Sequence, residues 1–131
     1  MLLDEIGAYL QSLSLGTVGT DLFLGSTPDS PDACVTVREY GGEAPEFTLG
    51  PSVAYEQPRI QIVCRAGVAD YAAARTKAEA IYRALNVAEA TLSATHYLRI
   101  EPLQSPFPIG RDENNRWEIA FNCSVMKELS S

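Results

Sequence analysis

The sequence has little of what most catalytic and metal sites are built from. It contains one histidine, His96, three cysteines without a CxxC pair, and no GxGxxG, GxxxxGK[ST], GxSxG or HExxH motif. These absences argue against an enzyme and against a bound cofactor or metal. Each cysteine (Cys34, Cys64 and Cys123) lies in an apolar, strand-like run, which predicts buried, reduced thiols rather than a disulfide framework.

The sequence also lacks a long apolar run and an excess of basic residues. We therefore expect no membrane span, and the acidic start of the chain does not resemble a secretory signal, so we expect the protein in the cytoplasm of the cell that makes it. Ten Lys and Arg residues against seventeen Asp and Glu residues give a net charge of −7. Because phosphate backbones are bound by basic groups, this balance disfavours sequence-specific nucleic-acid binding.

The charge is unevenly distributed along the chain. Residues 1–56 sum to −8, with Arg38 as their one basic residue, whereas residues 57–131 sum to +1. If the two halves lie on different flanks of the fold, copies of the chain can associate head to tail. The simpler interpretation is a solvated acidic surface, and both remain open.

The most regular part of the sequence is residues 59–85. Ile60, Ile62 and Cys64 alternate with polar residues, which predicts a strand with one face in the core. Apolar residues then recur at helical spacing from residue 69 to Leu85, and Asp70 suits the helix start. A strand is thus followed by an amphipathic helix that packs on a sheet.

The order of elements indicates the fold class. An N-terminal amphipathic helix at residues 2–13 precedes two or three strands, the central helix and two further strands, at residues 96–103 and 116–126. The last strand alternates cleanly, which predicts a core face formed by Trp117, Ile119, Phe121, Cys123 and Val125. We predict one α+β domain over residues 1–131, with a mostly antiparallel sheet of four to five strands and both helices packed on it. Residues 41–57, rich in glycine and proline, predict a long loop, either folded on its own core or presented to a partner.

At this point the sequence resembles a known family, the tail-terminator or tail-completion proteins of long-tailed bacteriophages, also called minor capsid proteins. The resemblance lies in a leading helix (LLDEIGAYLQSL), the segments REYGG and YEQPRIQIVCRAG, the helix DYAAARTKAEAIYRAL and a last strand with WEIAFNCSV. It covers nearly the whole chain.

The resemblance implies a structural virion protein in the tail or neck, assembled in the host cytoplasm. It implies a homo-oligomer, a hexameric ring that caps the tail tube protein, ends tail growth and joins the tail to the head connector protein. It also implies interface roles for six residues. Gly41 and Gly42 would shape a loop at the ring surface, Tyr55 and Glu56 would approach a neighbouring subunit, and Arg59 and Arg65 would form cross-subunit pairs.

Two alternatives remain open at the level of sequence. A head-side connector or head-completion protein of the neck would share this architecture and differ in its partner. A small ligand-binding α+β domain would need a pocket lined by Trp117, Tyr97 or His96.

Overall fold

Two helices and seven strands make up the described chain. A computed structural model describes residues 2–47 and 54–128. In chain order the elements are α1 (Leu2–Ser12), β1 (Leu22–Leu24), β2 (Cys34–Phe47), β3 (Ala54–Val68), α2 (Tyr71–Ala84), β4 (Ala90–Leu92), β5 (Thr95–Pro102), β6 (Phe107–Arg111) and β7 (Arg116–Glu128).

All seven strands form a single sheet in the order β1-β2-β3-β7-β5-β4, and β6 pairs with β7 beside β5. The β1–β2 pair is parallel and every other pair is antiparallel. The α+β class is confirmed, and most strand pairs are antiparallel as predicted, but the sheet is mixed because of the β1–β2 pair, and its seven strands exceed the predicted four to five. The strands β1 and β4 have three residues each, too few to show a period of two, and β6 is interrupted by Pro108 and Gly110.

Both helices cover the same face of the sheet. In α1, Leu2, Ile6 and Leu10 are four residues apart and all buried, so one stripe of the helix enters the core. In α2 the stripe is formed by Ala74, Ala78 and Ile81, and its small side chains let the helix lie close to β3 and β7.

The predicted N-cap of α2 is present. The Ala73 amide donates to the Asp70 carboxylate at 3.1 Å, which satisfies one of the free amides of the first turn. Arg75 and Glu79 lie one turn apart and form a 3.1 Å ion pair on the helix surface. Local sequence signals thus determine where α2 begins.

The core lies between the helices and β2, β3 and β7. Ile60, Ile62 and Cys64 of β3 are fully buried, as are Phe121 and Cys123 of β7. Burying each of the isoleucines contributes roughly 1.5–3 kcal/mol to folding. The alternation read from the sequence therefore identifies the core face of both strands.

The segment predicted as a long loop is mostly strand. Residues 41–47 continue β2 and residues 54–57 belong to β3, so the two strands pair well beyond the core. The pairing of β2 with β3 continues beyond Gly41, Gly42 and Pro45. Two β-bulges, between Glu39 and Gly42 and between Glu43 and Glu46, accommodate these residues. Residues 48–53, the remainder of the predicted loop, lie outside the described residues.

Two further connections contain short strands that the sequence pattern does not predict. The segment after α2 holds β4 and a bridge between Val87 and Ile100, and the connection before the last strand holds β6. In the described ranges, neither helix has the length and apolar character needed to cross a membrane.

Candidate subunit interface

The extended parts of β2 and β3 form a distinct feature, residues 39–47 and 54–58, which we call the arm. The parallel partner β1 pairs with β2 only as far as Val37, so the arm lies past the end of β1. Its β3 side remains paired with the last residues of β7, Lys127 and Glu128. The arm thus extends the sheet at the N-terminal end of the central strand β3.

Gly42 is required by the geometry at the base of the arm. It pairs in register with Pro58 and has a φ of +149°. A Cβ atom there would lie 2.5 Å from the Gln57 carbonyl oxygen and 2.9 Å from the Pro58 Cα. Gly41 also has a positive φ, +59°, but is exposed with open space around it. The segment that the two glycines were predicted to shape as a loop is therefore a bulge within a strand, and its position at a ring surface stays a prediction.

Tyr55 and Glu56 lie on the β3 side of the arm and are half-buried. Glu56 Oε2 is 3.4 Å from Lys127 Nζ, and the Lys127 side chain is buried. This pair binds the arm to the end of β7 within one chain. Contact of Tyr55 and Glu56 with a neighbouring subunit stays a prediction.

Arg59 follows the arm and is half-buried, in register with Ser124 of β7. Because side chains alternate along a strand, it points away from the helices, as does Arg65 six residues later. Tyr40 lies near it: burial raises the pKa of the Tyr40 hydroxyl, and the positive charge of Arg59 opposes that shift.

Arg65 is buried against its own chain. Its Nε donates to the Asp32 carbonyl oxygen at 2.9 Å, and its Nη2 donates to the carbonyl oxygens of Pro31 at 2.7 Å and Asp29 at 3.3 Å. Its Nη1 is 3.8 Å from Asp112 Oδ2. These contacts hold the loop of residues 25–33 over the helix-free face of the sheet. The predicted cross-subunit pair of Arg65 is not tested by this geometry.

A second buried arginine, Arg116, completes what we call the arginine cluster. Its Nη1 is 2.9 Å from Asp32 Oδ1, its Nη2 is 3.0 Å from Asp29 Oδ1, and its Nε is 2.8 Å from Asp112 Oδ2. Partial desolvation lowers the pKa of the Arg116 guanidinium, but hydrogen bonds to the three carboxylates raise it overall. Desolvation likewise raises the pKa of Asp112, and hydrogen bonds from Arg116 outweigh that effect and lower it. Part of the charge imbalance between the two halves of the sequence is thus neutralised inside the chain.

The opposite end of β3 carries an exposed aromatic group, which we call the aromatic end: Val68, Tyr71, Ile109, Arg111 and Trp117. The rings of Tyr71 and Trp117 meet edge to face at 5.3 Å between centroids, and Arg111 Cζ lies 5.4 Å from the Trp117 ring centroid. Val68 is 59% exposed and Ile109 44%. Sequence reasoning placed Trp117 in the core stripe of β7 and missed this surface, because residues from four elements form it.

The residues proposed for a ligand pocket do not combine into one. Tyr97 is fully buried and donates to Glu5 Oε1 at 2.7 Å, Trp117 packs against Tyr71, and His96 lies at the surface between Glu89 and Glu128.

A cavity of about 240 Å³ lies elsewhere and is lined by Leu15, Cys34, Arg65 and Lys77 among others. Burial raises the pKa of Cys34, so its thiol is a poor nucleophile. Cys64 and Cys123 are also buried and free, and burial raises both of their pKa values to about 12. In the described part of the chain, no group of His, Cys, Asp and Glu side chains is arranged to hold a metal ion.

Comparison with known proteins agrees with the architecture. A chain of a solved structure, described as "Virion of native gene transfer agent (GTA) particle", shares the fold with a TM-score of 0.69 at 19% sequence identity, covering 98% of this chain and 95% of that one. No curated protein sequence matches the chain. The family model described as "Bacteriophage tail terminator protein" matches residues 9–128. The chain therefore belongs to the bacteriophage tail terminator family, whose members are structural proteins of the phage tail.

Proposed function

We propose that six copies of this chain form a closed ring that caps the tail tube, ends tail growth and joins the tail to the head connector. Family membership supports the terminator role, and no covalent chemistry is needed for it. A terminator needs one ring face that fits the last ring of tube subunits and another face that does not template more of them.

The main observation that supports this proposal is the irregular structure of the edge strands of the sheet. Within the described residues, the edge strands β1 and β4 are three residues long, and β6 contains Pro108 and a kinked Gly110 with a φ of +122°. The β2 side of the arm carries two bulges and contains Pro45. Such short, bulged or proline-containing edges resist the addition of further strands. A subunit with these edges suits a component that stops polymerisation.

The six predicted interface residues take different parts in this proposal. Gly41 and Gly42 set the course of the arm, Tyr55 and Glu56 are presented on it, and Arg59 lies at its base. Arg65 donates to carbonyl oxygens of the loop of residues 25–33, which favours a role in positioning that loop. We therefore place the contact between subunits chiefly on the arm.

The partners follow from the position of such a ring. The tail tube protein would bind one face and the head-tail connector protein the other, in a virion assembled in the host cytoplasm. With a net charge of −7, the ring is suited to let DNA pass without retaining it. The head-side connector alternative predicts binding to the head vertex and no effect on the tube.

A tube-growth assay tests the proposal. Tail tube protein is polymerised with and without this protein, and tube lengths and ends are measured by negative-stain electron microscopy. We expect shorter tubes with added density at one end. Tubes of unchanged length without bound protein would contradict the terminator role, and binding to the head connector alone would favour the connector alternative. The variant Arg83→Glu, at an exposed arginine in the last turn of α2, serves as the control for a substitution outside the interface.

A further inference from the structure

The aromatic end has the composition of a protein-binding surface. Tyr71 packs on Trp117 there, Val68 and Ile109 are exposed in the strands that flank β7, and residues such as tyrosine, tryptophan and arginine contribute most to binding energy where proteins meet. The edge-to-face contact with Trp117 holds Tyr71 in place, so little conformational entropy would be lost on binding. This surface is preorganised.

Arg111 adds an uncommitted positive charge. It is exposed, its guanidinium lies over the Trp117 ring, and it has no carboxylate partner within residues 2–47 and 54–128. Of the acids nearby, Asp70 caps α2, Asp112 binds Arg116 and Glu118 lies opposite Arg65, which leaves Glu113 in the solvent-exposed turn. The surface is therefore suited to a partner that carries both apolar groups and carboxylates.

The arm has the complementary character. Its residues 39–47 and 54–58 contain four glutamates and no lysine or arginine; Glu56 is paired with Lys127, so Glu39, Glu43 and Glu46 supply the negative charge of the arm. It also contains Tyr40, which is exposed. The arm and the aromatic end lie at opposite ends of the fifteen-residue strand β3, about 45 Å apart along the chain at the usual rise per strand residue. One copy cannot bring its own two surfaces together.

We propose that the arm of one copy docks on the aromatic end of the next copy, with Arg111 facing the glutamates of the arm. The occupant is a second copy of this chain. Each copy uses two different surfaces, so the contact is heterologous and repeats until a ring closes. This inference rests on the proposed ring and specifies which surfaces join its subunits.

Cross-linking between introduced cysteines tests the contact. Tyr40→Cys places a thiol on the arm and Val68→Cys places one at the aromatic end, and both positions are exposed. With a short bismaleimide, the double variant should give a ladder of cross-linked species up to the closed ring. A mixture of the two single variants should give cross-linked dimers only, and each single variant alone should give none. The three native cysteines are buried, so the parent protein is the blank.

Charge reversal gives a second readout. Arg111→Glu should raise the concentration needed for ring formation by roughly tenfold, the change expected from losing one favourable charged contact and gaining a repulsive one. Arg83→Glu, at an exposed arginine in the last turn of α2, is the matched control and should change it by less than about twofold. Adding salt should raise the concentration that the parent protein needs for ring formation. It should also reduce the difference in that concentration between Arg111→Glu and the parent.

The possible results distinguish failure of the proposed contact from failure of the proposed ring. A ring in the parent protein that yields no ladder from the double variant, and that responds equally to both charge reversals, would overturn this contact and leave the proposed function standing. Cross-linking of Val68→Cys alone would instead indicate a two-fold contact and overturn the head-to-tail arrangement. Absence of any oligomer, with or without tube protein, would refute the ring itself and this contact with it.

Discussion

Gly42 offers a graded test of the strand geometry at the base of the arm. In Gly42→Ala the new methyl group would lie 2.5 Å from the Gln57 carbonyl oxygen, at a φ of +149° that L residues rarely adopt. The unfavourable backbone conformation costs about 1–3 kcal/mol. Displacing the Gln57 and Pro58 backbone costs about 1–3 kcal/mol more, as overpacking does elsewhere. We expect the free energy of unfolding to fall by about 3 kcal/mol and the melting temperature by about 10 °C.

Two other glycines supply the controls. Gly41 has a φ of +59° with no atom within 4 Å of the added Cβ, so Gly41→Ala should cost only about 1 kcal/mol. Gly67 has open space and no positive φ, so Gly67→Ala should change stability by less than about 0.5 kcal/mol or raise it slightly. Urea denaturation followed by circular dichroism measures all three variants. A Gly42→Ala variant no less stable than Gly41→Ala would refute the close approach of β2 and β3.

Two further perturbations concern side chains that join elements. Tyr97→Phe removes the 2.7 Å hydrogen bond to the buried Glu5 carboxylate, and urea denaturation should show a loss of about 2 kcal/mol; no change would contradict a stabilising role for this bond. Hydrogen bonds to Glu89 and Glu128 raise the pKa of His96, so its stabilising contribution should be fully present below about pH 6.5, the value in the unfolded chain, and lost as the pH rises through the folded value. The stability difference between the parent and His96→Gln, measured from pH 5 to 9, should therefore shrink with rising pH, and a difference that grows would contradict the assigned pairing.

The sequence predicts the elements whose signals are local and long enough to read. Both helices, the Asp70 cap and the core stripe of β7 follow from periodicity and capping alone. The arm does not, because Gly41, Gly42 and Pro45 normally interrupt a strand, and only a specific pairing with β3 and two bulges accommodate them. Register with a partner strand is a tertiary property, so it leaves no trace in the local pattern.

Several residues of the candidate interface could likewise not be predicted from the local sequence. Arg65 and Arg116 each look like solvated residues at the polar positions of a strand. Their burial depends on Asp29 and Asp32 in a loop that is distant in sequence from both strands. The aromatic end likewise needs the start of α2 and the end of β6 beside β7, and the chain order alone does not show that these elements meet.

The mass of the purified protein in solution, measured by light scattering across a range of concentrations and salt, tests the central claim most directly. Closed rings predict a discrete species of about six subunits that loosens as salt screens the contact between subunits. A monomer at every concentration that also fails to bind polymerised tail tube protein would contradict the ring and the terminator role proposed for this chain.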